Sequence, residues 1–378
     1  MTNPTLPHAS KDDVIIHGMP IQERIEWLIH HSDRHSQEFK SPESWLARSR
    51  YHAKHPTAIV AFKCMDEHIT IPVGTTTPHG IILQFRNPGS RFHLGWPHLG
   101  EVLAEHVPGV AGQGRLTLAL ITYHYSKGNC RRGYAVFNYG TDAAHSLPFG
   151  IQRPVEAVFS TGHGTAYPVL CCFETDEAAL VLHGSDGEVL DLSSTVSPTV
   201  SSTNRDNLPS LLARLYPDMP DQMRQDLLHL VRGNITRIAG IRQANRELNI
   251  EHREWMICIG RGFDWLHMPN LAHIMGPYSP DLADPIRKAA GIIEANMHAG
   301  RIPDDGFLLL IVAPNHEIGI DRARAGLKSG FLSGFAADVI RTEFPKPAEK
   351  MQVRTAIIAW QSRAMVMIDP RVARTAGQ

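Results

Sequence analysis

Two short, almost unbroken apolar runs constrain this chain more than any other feature. Residues 116–122 read Leu-Thr-Leu-Ala-Leu-Ile-Thr, and residues 307–312 read Phe-Leu-Leu-Leu-Ile-Val. Side chains alternate between the two faces of a strand, so a run this apolar must be covered on both faces. That is the position of a central strand in a parallel sheet. Each run leads into a polar segment with a histidine, Tyr123-His124-Tyr125 in one case and Asn315-His316-Glu317 in the other. Around both, shorter β-rich runs alternate with stretches of helical apolar spacing. This order predicts an α/β fold with a mainly parallel sheet flanked by helices.

The other elements follow from local pattern. Residues 1–55 read as a polar tail and a helical arm. Ile21, Ile25, Leu28 and Ile29 make one apolar stripe, and Ser41, Pro42 and Glu43 open a second helix as N-cap, first residue and first-turn acid. Strands are expected at 57–62, 80–85, 155–160 and 166–173, with a hairpin over 178–192 that turns at Ser185-Asp186-Gly187. A helix over 97–106 would pack through Leu99, Val102 and Leu103. Residues 193–209 are rich in Ser, Thr, Asn and Pro and read as a linker, placed at 196–209. Beyond it come helical patterns over 211–248 broken at Pro217 and Pro220, a strand at 255–259, a helix at 285–297 and a strand pair within 355–368. The second half repeats the element order of the first. We therefore expect a tandem duplication, with one domain at 56–195 and a second copy at 210–378.

Charge and cysteine usage narrow the partners. Lys and Arg (37) nearly cancel Asp and Glu (38), so there is no basic field to hold nucleic acid. No apolar run approaches the roughly 20 residues that span a bilayer, and the first residues show no signal-peptide pattern. Five cysteines in 378 residues make no disulfide framework and point to a reducing, cytoplasmic setting with thiols available for metal or catalysis.

Against that background, Cys64-Met65-Asp66 stands out. It lies where the strand begun at residue 57 runs out into a loop, and residues i and i+2 of an extended chain share a face. A thiolate binds zinc, and a carboxylate beside it can orient or ligate. His124, at the end of the central strand, and Cys130, in the loop after it, complete a Cys-His-Cys set. Such a set would hold Zn²⁺ and leave a fourth position for water, whose pKa the metal lowers toward neutrality. The resulting metal-bound hydroxide would attack a small electrophilic carbon, with Asp66 fixing its lone pair. Spacing alone leaves open a buried strand cysteine at 64 and a core histidine at 124.

These segments also resemble a known family. Cys64-Met65-Asp66 is similar to the Cys-x-Asp-x-Arg start of the β-class carbonic anhydrases. Phe85-Arg86-Asn87-Pro88-Gly89-Ser90 resembles their Arg-Asn-Ala-Gly-Asn segment, Tyr123-His124 stands where their zinc histidine leaves the central strand, and residues 181–190 resemble their closing hairpin. The likeness covers roughly 56–195. A second half without Cys-x-Asp resembles the carboxysome shell carbonic anhydrase family, in which a metal-free copy follows the active one. This likeness implies that the copy at 210–378 is degenerate and without a metal site. The resemblance implies a zinc lyase that reversibly hydrates CO2 to bicarbonate, with the fused copy forming an internal pseudo-dimer. It also implies a homo-oligomer and association with a bacterial microcompartment. Arg86 would shape the pocket. His68 stands where the family has the arginine partner of its aspartate. It is expected to shuttle protons or add a ligand, with Arg86, Arg131 or Arg132 supplying the cation. The family's third ligand falls at Cys130 or further on, where Tyr134 stands. Two other functions fit the same residues: a zinc hydrolase of carbonyl sulfide or carbon disulfide, and a catalytically inactive scaffold or binding protein.

The remaining candidates read as structure. Cys171-Cys172 lie in an apolar strand. Cys258 precedes Gly260, which leaves no carboxylate, and His316-Glu317 has no nearby cysteine. Gly260-Arg261-Gly262 is an isolated glycine turn without a phosphate-loop context. His93, His98 and His106 are expected at a solvated helix face.

Overall fold

The computed structural model describes residues 16–66, 70–128, 165–184, 186–196, 207–244, 252–266, 268, 270–316 and 319–368. The chain is α/β, with two mostly parallel mixed sheets flanked by helices. The first sheet contains β1 (Ala58–Cys64), β2 (Ile82–Asn87), β3 (Thr117–Tyr125), β4 (Ala166–Glu174), β5 (Ala179–His183) and β6 (Val189–Asp191). Their order is β2-β1-β3-β4-β5-β6, with β1 to β4 parallel and β5 and β6 antiparallel. The second contains β7 (Met256–Gly260), β8 (Ala272–Met275), β9 (Phe307–Asn315), β10 (Met351–Ala359) and β11 (Met365–Ile368). Its order is β11-β10-β9-β7-β8, parallel except for β11. Strand order and direction in the second sheet match those of β2-β1-β3-β4-β5, so both halves have one topology. The apolar runs that opened the argument are β3 and β9, each between two parallel neighbours and almost wholly buried.

The larger helices are α1 (Ile21–Phe39), α2 (Pro42–Lys54), α3 (Pro97–Ala111), α4 (Leu208–Leu215), α5 (Asp221–Gln243), α6 (Ala283–His298) and α7 (Gly319–Glu343). Ser41 caps α2 by accepting from the Ser44 amide at 3.2 Å. The arm ties the halves together. The first amide of α1, Ile21, donates to Asp305 in the second half, which also pairs with buried Arg24. At the end of α2, His55 Nδ1 lies 3.0 Å from Asp226 of α5.

Packing draws the boundary elsewhere than composition does. Helices α4 and α5 follow the expected linker, yet they cover the first sheet. Leu212, Leu227, Leu230 and Ile238 share a core with Ile59, Leu118 and Leu182. The opposite face of the first sheet, through Val60, Phe62, Phe85 and Ile121, merges with the second sheet's core of Trp255, Ile257, Leu309 and Ile311. One core of the first half thus extends to α5, and the core on the opposite face of the sheet runs on into the second half.

One strand has no counterpart in the sequence reading. β8 is four residues long, too short to show a period of two. It lies at the sheet edge and faces the end of β1. The Ile274 amide donates to the Met65 carbonyl at 2.8 Å, and the Gly276 amide to the Arg86 carbonyl at 3.0 Å. Residues 155–160, also expected as a strand, lie outside the described residues.

Candidate metal centre

The parallel ladder brings the first two expected ligands together. β1 and β3 are neighbours, so Cys64 and His124 emerge at the same end of the sheet. With Asp66 they line one small cavity of about 20 Å³, together with Lys63, Ile71, Thr122 and Phe173. All three chemistry-bearing groups are buried. A cavity of this size holds about one water-sized molecule.

The shared face expected for Cys64 and Asp66 is present, and the Cys64 thiol donates to Asp66 Oδ2 at 3.0 Å. Burial pushes the thiol well above its ordinary pKa, and the Asp66 charge pushes the same way. Two backbone amides, those of Asp66 and Gly89, reach the sulfur and oppose that rise. The Gly89 amide gets there through a turn at Pro88–Ser90 in which Gly89 has φ +62°, a left-handed conformation that glycine adopts without strain. The segment 86–89 therefore shapes the site through its backbone. The Arg86 side chain goes elsewhere: its Nη2 donates to Gln84 Oε1 at 3.2 Å, and it lines a different, larger cavity between the sheets.

One partner of Asp66 comes from the second half. His273 Nδ1 lies 3.0 Å from Asp66 Oδ1. Because an ionised carboxylate only accepts, the ring nitrogen is the donor. The contacts continue inward: His273 Nε2 is 3.9 Å from Glu254 Oε2, and Glu254 Oε1 is 3.3 Å from His252 Nδ1. Asn296 Nδ2 donates to the Glu254 backbone carbonyl at 3.1 Å. Burial lowers the pKa of His252, but the adjoining Glu254 carboxylate, with the Asp66 charge, outweighs it and raises the pKa to about 9. The result is a buried row of alternating acid and base running from Cys64 into the second half. The atoms of Asp66, Glu254 and His273 that can ligate lie within 4.8 Å of one another, and this group could hold a metal ion.

Both donor sets can be weighed against zinc. Thiolate, imidazole and an adjacent carboxylate suit it, and backbone N–H groups on the sulfur favour the thiolate form that a metal needs. Those residues fit. Asp66, Glu254 and His273 offer two oxygens and one nitrogen, a harder set that suits several divalent ions.

His68, Cys130, Arg131, Arg132 and Tyr134 lie outside the described residues. Cys171 and Cys172 are wholly buried on opposite faces of β4, one in each core. Cys258 is likewise wholly buried in β7. Gly260 has φ +131°, and a Cβ there would lie 1.8 Å from the Val312 carbonyl, so no carboxylate can occupy that position. His98 and His106 are half-buried rather than solvated; His98 stacks on Tyr278 at 6.0 Å and His106 lines the inter-sheet cavity.

Sequence reasoning missed Lys63, Glu254 and His273. The last two carried a signal: each interrupts or borders an apolar run, Leu271-Ala272-His273-Ile274-Met275 and Glu254-Trp255-Met256-Ile257. A polar side chain that a strand takes into the core needs a partner there. Among the described residues no helix is long and apolar enough to cross a membrane. No family model and no curated protein matches the chain.

Proposed function

We propose that this chain is a zinc-dependent lyase that reversibly hydrates CO2 to bicarbonate. The observation that supports this most is the convergence of Cys64, Asp66 and His124 on one small buried cavity at the ends of β1 and β3. Cys64 and His124 would hold the metal, with Cys130 as third ligand. Zinc, when bound, supplies an acidified water as nucleophile. The chain's own residues do the rest. Cys64 would hold the metal as its thiolate, which would leave Asp66 Oδ2 free of the thiol hydrogen bond. Asp66 Oδ2 can then accept from the attacking water and aim its lone pair at the substrate carbon. His273 holds Asp66 by its other oxygen, the task that the resembled family gives to an arginine. The small volume of the cavity, with Ile71 and Phe173 among its walls, suits substrates of a few atoms. Carbonyl sulfide and carbon disulfide also meet that size limit, and substrate-dependent sulfide release separates them from CO2.

Metal content and CO2 hydration of purified variants test the assignment. Cys64→Ser and His124→Ala should each lose zinc and at least about 100-fold of the hydration rate; full activity in either refutes it. His273→Gln discriminates the two donor sets. Retained zinc with a depressed rate fits a positioning role. Loss of the metal with His273, but not with His124, would move the centre to Asp66, Glu254 and His273.

A further inference from the structure

A second cavity lies apart from the metal centre. It measures about 300 Å³ and opens between the edge strand β2 of the first sheet and the end of β7 in the second. That is at the lower end of the range for small-molecule pockets, and it is far too large for bicarbonate alone. Among the described residues its walls carry Arg86, Arg115, Arg261 and Arg363 and one carboxylate, Asp264. That carboxylate is committed: both its oxygens lie 2.9 Å from Arg363 Nε. Arg86 and Arg363 are buried, and Arg115 and Arg261 are half-buried. Arg261 projects from the Gly260-Arg261-Gly262 turn over the Trp360 ring at 5.2 Å. Its charge reaches its neighbours. After burial, Arg261 is the next cause lowering the pKa of both His106 and Lys328. Arg115 and Arg261 bring two positive charges to one half-enclosed space, where like charges repel one another and an entering anion relieves the repulsion. Guanidinium groups recognise carboxylate and phosphate with paired, directional hydrogen bonds, and Tyr278 and Trp360 offer aromatic surface for an organic body.

We propose that this inter-sheet cavity binds a small organic anion through carboxylate or phosphate groups. The proposal is independent of the metal centre, since it uses none of the residues assigned to hold metal or orient water. It gives the glycine turn at 260–262 a task. The turn puts Arg261 of one half on the same cavity as Arg115 of the other, so the ligand would bridge the two sheets.

Calorimetric titration of the full chain with inorganic phosphate, and separately with malonate, at constant ionic strength tests this. We expect saturable binding of at least one probe, weakened roughly tenfold or more by Arg261→Gln and by Arg115→Gln. Arg341→Gln, on the exposed face of α7, should leave it unchanged. Phosphate binding alone identifies a phosphorylated ligand, malonate alone a carboxylate, and either supports the site. Circular dichroism confirms that each variant folds. Absence of binding for both probes, or equal binding by all variants, overturns the proposal.

Discussion

His252 lies at the inner end of the row that starts at Cys64, and its protonation can be followed through stability. Burial lowers its pKa; Glu254, with the Asp66 charge, outweighs that and raises it from 6.5 to about 9. A group whose folded pKa is raised stabilises the fold fully below its unfolded value. That stabilisation fades as pH rises through the folded value. His252→Gln should therefore cost stability near pH 6, by at most about 3 kcal/mol, and cost almost nothing near about pH 10. Urea unfolding of both proteins at the two pH values measures the difference, and a gap that does not narrow would dissociate His252 from Glu254. His17 shifts the opposite way. Burial and the nearby Arg253 lower it to about 4. It stays neutral in the fold while the unfolded chain takes up a proton, so it destabilises progressively from about pH 6.5 down to about pH 4.

Helix α5 shows how an element can be placed by a few polar contacts in an apolar interface. Asn234 is wholly buried, its Nδ2 donating to the carbonyls of Gly74 and Ala178 and its Oδ1 accepting from Leu180, all at 2.8 Å. Beside it, Gly233 sits so close to the first half that a Cβ would lie 2.0 Å from the Thr75 carbonyl. Asn234→Ala would strand three buried backbone groups and should cost about 3–5 kcal/mol. Gly233→Ala would force helix and loop apart and should cost a comparable amount. Chemical denaturation of the two variants checks both. A cost under about 1 kcal/mol in either would mean that α5 docks by its apolar stripe alone.

One core cluster runs continuously between the two sheets. Phe62 and Phe85 of the first sheet belong to the same buried cluster as Trp255, Leu309 and Ile358 of the second. The arm adds Arg24 over the Trp255 ring at 4.9 Å and paired with Asp305. Neither half can expose this face to water without losing much of its stabilising apolar burial. The two halves should therefore unfold together. Differential scanning calorimetry is expected to give one transition with matching calorimetric and van't Hoff enthalpies. Two separable transitions would show that the halves are energetically independent.

Local pattern was enough to specify the α/β class, the buried central strands β3 and β9, and the cap of α2, because period, apolar continuity and capping chemistry are properties of neighbouring residues. It also placed Cys64, Asp66 and His124 at strand ends, whereas the adjacency of β1 and β3 comes from the strand order of the folded sheet. What only the tertiary structure decided was what meets those residues. β8 is too short for its period to register, yet it delivers His273 to Asp66 across more than half the chain. Arg86, placed correctly at a strand end, turns its side chain into the space between the sheets. Helices α4 and α5 cross the expected linker to cover the first sheet. Each of these depends on contacts between residues far apart in sequence, where the choice of partner is made by burial and charge compensation rather than by local pattern.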